Sequence, residues 1–163
     1  MSKPFRFKEF TIQQHKTAMK VGTDGVLLGA WTSVESNPFS ILDIGAGTGD
    51  FLVVAQNDGW EVSGIEPNQG AQEKAKEKGI HLIDDLSGHE DQKFDVITLW
   101  HVLEHLPDLE YQIEQISSLL HENGTLIVAV PNFKSYDAIH YGKFWAAFDV
   151  PRHLWHFSKT AIT

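Results

Sequence analysis

Three glycines at alternate positions, in Asp43-Ile-Gly-Ala-Gly-Thr-Gly49, stand between a short apolar run and an amphipathic stretch. Glycine tolerates the left-handed backbone and the close approach that a strand-to-helix turn against a ligand demands. The run before it, Ile41-Leu-Asp-Ile44, reads as a buried strand, and Gly49 to Asp58, closed by Gly59, reads as a helix. The loop departs from the dinucleotide pattern G-x-G-x-x-G, because Asp50 fills the sixth place. A carboxylate there opposes the pyrophosphate that a helix N-terminus otherwise attracts. No Gly-Lys-Ser/Thr follows, so a P-loop is excluded as well. Asp43, just ahead of the glycines, faces a cation or amine better than a phosphate. The ligand implied carries a nucleoside and a positive charge, and no phosphate.

Glu66 agrees with this. It ends a second strand, Glu61 to Ile65, at close to the spacing of about 20 residues at which an acid grips ribose hydroxyls. Its other reading is an acidic turn residue ahead of Pro67; the glycine loop at the right distance favours the ribose.

Beyond Glu66 the elements keep alternating. Gln69 to Lys78 reads as a helix opened by Asn68, Ile80 to Ile83 as a third strand, and Phe94 to Trp100 as a fourth. Pro107 starts a helix that Asn123-Gly124 ends, and Thr125 to Val130 reads as a fifth strand. Such alternation gives a parallel sheet with helices on both faces, so the fold class is α/β. Ser33 to Ser40, rich in Ser, Asn and Pro, reads as a linker, which divides the chain into an N-terminal segment, 1–40, and a domain, 41–163. Nothing after Val130 reads as a further buried strand, and the domain is expected to be incomplete at its C-terminal end.

Composition narrows the partners. There are no cysteines among the 163 residues, which removes disulfides, thiolate metal sites and a cysteine nucleophile. No apolar run is long enough to span a bilayer and no signal peptide is visible, so a cytoplasmic protein without a membrane partner is expected. A net charge of -9 argues against general nucleic-acid binding. Basic residues nevertheless gather at the start, at Lys3, Arg6, Lys8, Lys16 and Lys20, as a solvated edge or as an arm for an anionic substrate.

Asp43 to Gly49, Glu66 and the strand Phe94-Asp-Val-Ile-Thr-Leu-Trp-His101 resemble the class I S-adenosylmethionine-dependent methyltransferases. Asp95 to Asp108 and Phe144 to Ser158 are similar to stretches of the small ubiquinone-methylase-like group. The resemblance implies a Rossmann-like three-layer sandwich with a mainly parallel sheet, lacking the last two strands, and S-adenosyl-L-methionine as cofactor. It implies that Gly45, Ala46 and Gly47 lie against the methionine part, with Asp43 near its amino end and Glu66 on the ribose. Asp84, Asp85 and Leu86 would border the adenine, and Trp100 and His101 would wall the methionine and the transferring methyl group.

Residues 1–32 resemble another group. Phe5 to Phe10 and Ala18 to Trp31 are similar to the start of the N6-adenine methyltransferases that modify a valine tRNA. Those enzymes carry Asn-Pro-Pro-Tyr after the fourth strand, where this chain has Leu99-Trp-His-Val. A small-molecule acceptor is therefore expected and tRNA is disfavoured; a cofactor-binding domain without turnover is the other alternative. The two resemblances meet at the glycine loop, as in a chain joined from two families.

Histidines supply the remaining chemistry. His101-Val-Leu-Glu-His105 spells the zinc-hydrolase pattern H-x-x-E-H. His101 directly follows a buried strand, however, and no third ligand is identifiable among Glu110, Glu114 and Glu122, so no metal site is expected. Arg152, His153 and His156 lie in a stretch rich in aromatic residues, with Trp145, Phe148, Trp155 and Phe157. That stretch reads either as a substrate lid carrying a general base or as a hydrophobic loop whose histidines satisfy backbone carbonyls. His101, His105, His153 and His156 are the base candidates.

Overall fold

The computed structural model describes residues 5–6, 11–12, 39–88 and 92–162. The basic positions Lys3, Lys8, Lys16 and Lys20, the stretch Ala18 to Trp31 and most of the expected linker lie outside them. The chain divides into two compact units, Met1–Ser33 and Val34–Thr163. In the first, β1 (Phe5–Arg6) pairs antiparallel with β2 (Thr11–Ile12), Phe5 opposite Ile12.

The second unit is built on four parallel strands. These are β3 (Ser40–Ile44), β4 (Glu61–Ile65), β5 (Phe94–Trp100) and β6 (Leu120–Ala129), in the order β4-β3-β5-β6. Between them run α1 (Asp50–Asn57), α2 (Gln69–Glu77) and α3 (Leu109–Ser118). After β6 come α4 (Tyr136–Tyr141), two short 3-10 turns and α5 (Lys159–Ile162).

Side-chain alternation along the central strands fills both faces of the sheet. On one face Ile41 and Val96 pack with Leu52 and Ala55 of α1 and Ala75 of α2. On the other, Leu42, Ile44, Ile97 and Leu99 pack with Ile116 of α3 and with Leu119. The result is the expected three-layer α/β arrangement. Asn68 caps α2 as the sequence implies, its side chain accepting from the Ala71 N–H at 3.0 Å.

Three expectations change. Ile80 to Ile83 does not form a third strand; only Ile83 bridges to Ile65, while Ile80 is buried against α1 and α2. The helix expected from Pro107 starts at Leu109, because Asp108 has a left-handed φ of 47°. That helix ends at Ser118 rather than at Asn123-Gly124, which belongs to β6. Phe94 pairs with Leu120 but Val96 pairs with Thr125, so the residues between bulge out of the ladder. After Val130, Asn132 forms a lone parallel bridge with Phe157.

Candidate functional site

Parallel strands end on one side, and β4 and β5 lie to either side of β3, so the loops leaving β3 and β5 part there. Ligands of open α/β sheets bind at such a switch point, outside the carboxyl ends of the strands. All the cofactor residues expected from the sequence follow or end β3, β4 or β5 or flank the Ile83 bridge.

The glycine loop is drawn tightly onto β4. Gly45 and Ala46 both donate their N–H groups to the Ile65 carbonyl, at 2.8 and 2.9 Å. Gly45 has a φ of 75°, and a Cβ there would collide with the Val102 side chain, so this position demands glycine. Gly47, with a φ of 54°, is the opposite case: a Cβ there would meet nothing within 4 Å. The loop is close-packed underneath and open at Gly47.

Glu66 holds that open edge. Its Oε2 accepts from the Gly47 N–H at 2.8 Å and its Oε1 from the Asn68 N–H at 2.9 Å. A carboxylate oxygen takes two donors, so each keeps a lone pair for a hydroxyl. The Gln72 amide ties the Glu66 carbonyl to Asp84 Oδ1, both at 2.6 Å, which brings Asp84 into the network. Asp85 accepts from the backbone and hydroxyl of Ser87 in the turn that carries Leu86. A concavity of about 410 Å³, lined by Gln72, Glu73, Lys76 and Asp84 among others, opens beside α2 and shares only Asp84 with the expected residues.

Asp43 lies beneath, 2% exposed, its Oδ1 accepting from the Thr98 hydroxyl at 2.7 Å. Burial pushes its carboxyl up to about 7; the Thr98 bond opposes the rise and the Glu66 charge adds to it. Lys78 donates to the Thr48 carbonyl and to Asp50 Oδ1, each at 2.7 Å, closing the glycine loop from the far end of α2. Only the tertiary fold shows this role, since nothing in the local sequence sets Lys78 apart from Lys74 and Lys76.

Trp100 ends β5 and His101 follows it. The Trp100 ring meets Phe51 edge-on at 5.8 Å, and its Nε1 is buried without a hydrogen-bond partner. His101 has a φ of 57°, an uncommon left-handed conformation for a residue other than glycine. Its Nδ1 lies 3.4 Å from Glu104 Oε1.

The other three histidines converge from two loops. The rings of His105 and His153 meet edge-on at 4.6 Å, and those of His153 and His156 lie 6.4 Å apart. Nδ1 of His105 is 3.0 Å from the Arg152 carbonyl, and Nδ1 of His153 is 2.8 Å from that of Ala147. Nε2 of His156 is 2.9 Å from the Phe148 carbonyl. A carbonyl only accepts, so these nitrogens carry the hydrogen. The lone pair of the neutral ring then sits on Nε2 of His105 and His153 and on Nδ1 of His156. The loops are joined further by Trp155 Nε1, which donates to the Leu106 carbonyl at 2.8 Å, and by the Leu154 N–H, which donates to the Glu104 carbonyl at 2.8 Å.

Comparison with known proteins agrees with this fold. The profile of a methyltransferase domain family matches residues 14–163. A tRNA1(Val) (adenine(37)-N6)-methyltransferase of Flavobacterium psychrophilum is 53% identical over 73 residues, 44% of this chain; the chain covers only 31% of that protein's length. The protein of the same name from Bacteroides thetaiotaomicron is 35% identical over 162 residues, covering 80% of this chain and 68% of its own. The crystal structure of a SAM-dependent methyltransferase from Archaeoglobus fulgidus superimposes with a TM-score of 0.64 at 19% identity, over 86% of this chain and 66% of that one. The likeness shows a shared Rossmann-like fold. The chain belongs to the methyltransferase domain family and is a relative of the bacterial tRNA1(Val) (adenine(37)-N6)-methyltransferases.

Proposed function

We propose that this chain binds S-adenosylmethionine and transfers its methyl group to a nucleophilic atom of a small-molecule acceptor. The observation that carries the reading is the union of Glu66 with Gly47, a carboxylate with two spare lone pairs beside a stretch of backbone left open. The residues suit the cofactor. Glu66 would receive its ribose hydroxyls, Asp43 would face its amino group, and Gly45, Ala46 and Gly47 would lie along the methionine part. Asp84, Asp85 and Leu86 would border the base. The orphan Nε1 of Trp100 adds a donor with no partner in the protein.

When bound, the cofactor supplies a methyl group on a sulfonium sulfur, open to in-line displacement. The protein then contributes position and a water-poor wall, and holding two reactants in line lowers a barrier by roughly 7–11 kcal/mol. Of the base candidates His101, His105, His153 and His156, the reading takes His101 for the acceptor's proton; its support is that His101 directly follows β5 and its Nδ1 lies 3.4 Å from the buried Glu104 carboxylate.

The names of the relatives favour a second reading, an adenine amine of tRNA as acceptor. Against it stand Leu99-Trp-His-Val102 where an Asn-Pro-Pro-Tyr motif would present that amine. Calorimetric titration with S-adenosylhomocysteine tests the shared part. We expect micromolar binding, weakened ~10- to 100-fold in Glu66→Gln as hydrogen bonds to a charged acceptor are lost. A folded chain that does not bind would refute the reading. Transfer of labelled methyl groups to bulk tRNA, set beside a panel of small hydroxyl and amine acceptors, then decides the acceptor.

A further inference from the structure

Glu104 is 1% exposed, in the short turn Leu103–His105 that follows β5, and neither carboxylate oxygen makes a hydrogen bond. A buried carboxylate without donors is costly, and native proteins keep such groups where an ion or a reaction uses them. The His101 Nδ1 lies 3.4 Å from its Oε1, beyond a normal hydrogen bond. Arg152, nearby in the chain to His153, is committed to Asp149 through two bonds of 2.8 and 3.1 Å.

Two ring nitrogens complete the surroundings. One ligand atom from each of Glu104, His105 and His153 lies within 4.8 Å of the others. Both rings are oriented as metal-bound imidazoles are, with Nδ1–H on a main-chain carbonyl and the Nε2 lone pair free to ligate. His156 has the opposite tautomer and stays outside the set. The next acid is Asp149, whose Oδ2 is 3.8 Å from His153 Nε2.

We infer that Glu104, His105 and His153 form a binding site for a divalent first-row transition-metal ion, zinc by preference. Two imidazoles and one carboxylate are a donor set that zinc takes in catalytic sites, with a position left open, and one that magnesium and calcium do not seek. Zinc bonds of about 2.0–2.1 Å place tetrahedral ligands roughly 3.4 Å apart, so binding draws the three side chains inward. His105 is solvent-exposed, which gives the ion its entry. The set differs from the H-x-x-E-H reading: His101 is not a ligand, and the missing third ligand comes from the loop after β6.

The site lies at the carboxyl end of β5, beside Trp100 and His101. Resting on the methyl-transfer reading, its place makes a hydroxyl-bearing small molecule the acceptor class, because a zinc ion lowers the pKa of an oxygen that it binds.

The test is titration of the full chain, freed of metal by chelation, with zinc chloride by calorimetry and with cobalt chloride by visible absorption. One equivalent is expected to bind, with the visible bands of a low-coordinate cobalt site. His153→Ala and Glu104→Gln should each weaken it at least ~10-fold, and His140→Ala, a change on exposed α4, should not. Zinc should raise the thermal midpoint of the wild type and not of Glu104→Gln. Substoichiometric binding, or binding indifferent to these two substitutions, would overturn the site. Titration of every variant with S-adenosylhomocysteine, with and without chelator, keeps the two readings apart. Cofactor binding without metal binding sinks the site alone, and metal binding without cofactor binding sinks the methyltransferase reading and with it the acceptor class.

Discussion

Asp43 is expected to couple the proposed cofactor crevice to pH. Its folded carboxyl titrates at about 7, above the value of about 3.9 for a free side chain. Between those values the folded chain holds a proton that the unfolded chain has released, so stability of the ligand-free protein falls as pH rises from 4 to 7 and then levels. An ammonium group of a bound ligand needs the ionised form. Affinity for S-adenosylhomocysteine is therefore expected to climb up to tenfold per pH unit below 7 and to flatten above it. Asp43→Asn should bind weakly and without that slope. Calorimetry across pH checks both; a flat wild-type profile would mean that Asp43 does not meet the amino end.

At the scale of an element, Asp95 shows the opposite pH dependence to Asp43. Its Oδ2 accepts from the Phe39 N–H, the Ser40 N–H and the Ser40 hydroxyl at 2.8, 2.9 and 3.1 Å, fastening the start of β3 to β5. The Phe39 and Ser40 bonds hold its carboxyl below the usual range. This stabilisation is present above the unfolded pKa and is lost as pH falls through the folded one. Asp95→Ala should cost about 1–2 kcal/mol near neutral pH, with the gap to wild type closing in acid, as urea denaturation would show. The elements legible in the sequence were those whose pattern and boundary agree: β5 runs from Phe94 to Trp100 as read, and α2 starts after Asn68 as read. Ile80 to Ile83 misled because an apolar run reports burial and not pairing, and Ile80 buries itself against helices. Asn123-Gly124 misled because glycine marks any tight backbone passage; at Gly124 a Cβ would stand 3.0 Å from the Phe94 carbonyl across the bulge. The glycine loop and Glu66 were legible because they are short motifs at strand ends. The Glu104, His105 and His153 cluster was not, because its third member arrives from a loop far along the chain.

For the molecule as a whole, the sheet has two outer strands among the described residues, β4 and β6. Along β6, Leu126 is 39% exposed and Ile127 and Val128 are half-buried, so among the described residues an apolar strand forms the outer edge of the sheet. Such edges invite pairing between chains, which the net charge of -9 opposes at long range. Sedimentation at rising concentration and salt should show self-association, and Leu126→Lys should suppress it. A monomer under all these conditions would mean that the edge is protected. No described helix is long and apolar enough to cross a membrane.

The bonds that join the loops after β5 and β6 end on carbonyl oxygens, those of Glu104, Leu106 and Arg152. Every residue type offers the same carbonyl, so these crossings do not depend on which side chain stands at the accepting position. The proposed acceptor wall can thus change its lining and keep this frame. Directed evolution toward new acceptors can therefore randomise the exposed Arg152 first, since its surface ion pair with Asp149 is worth little.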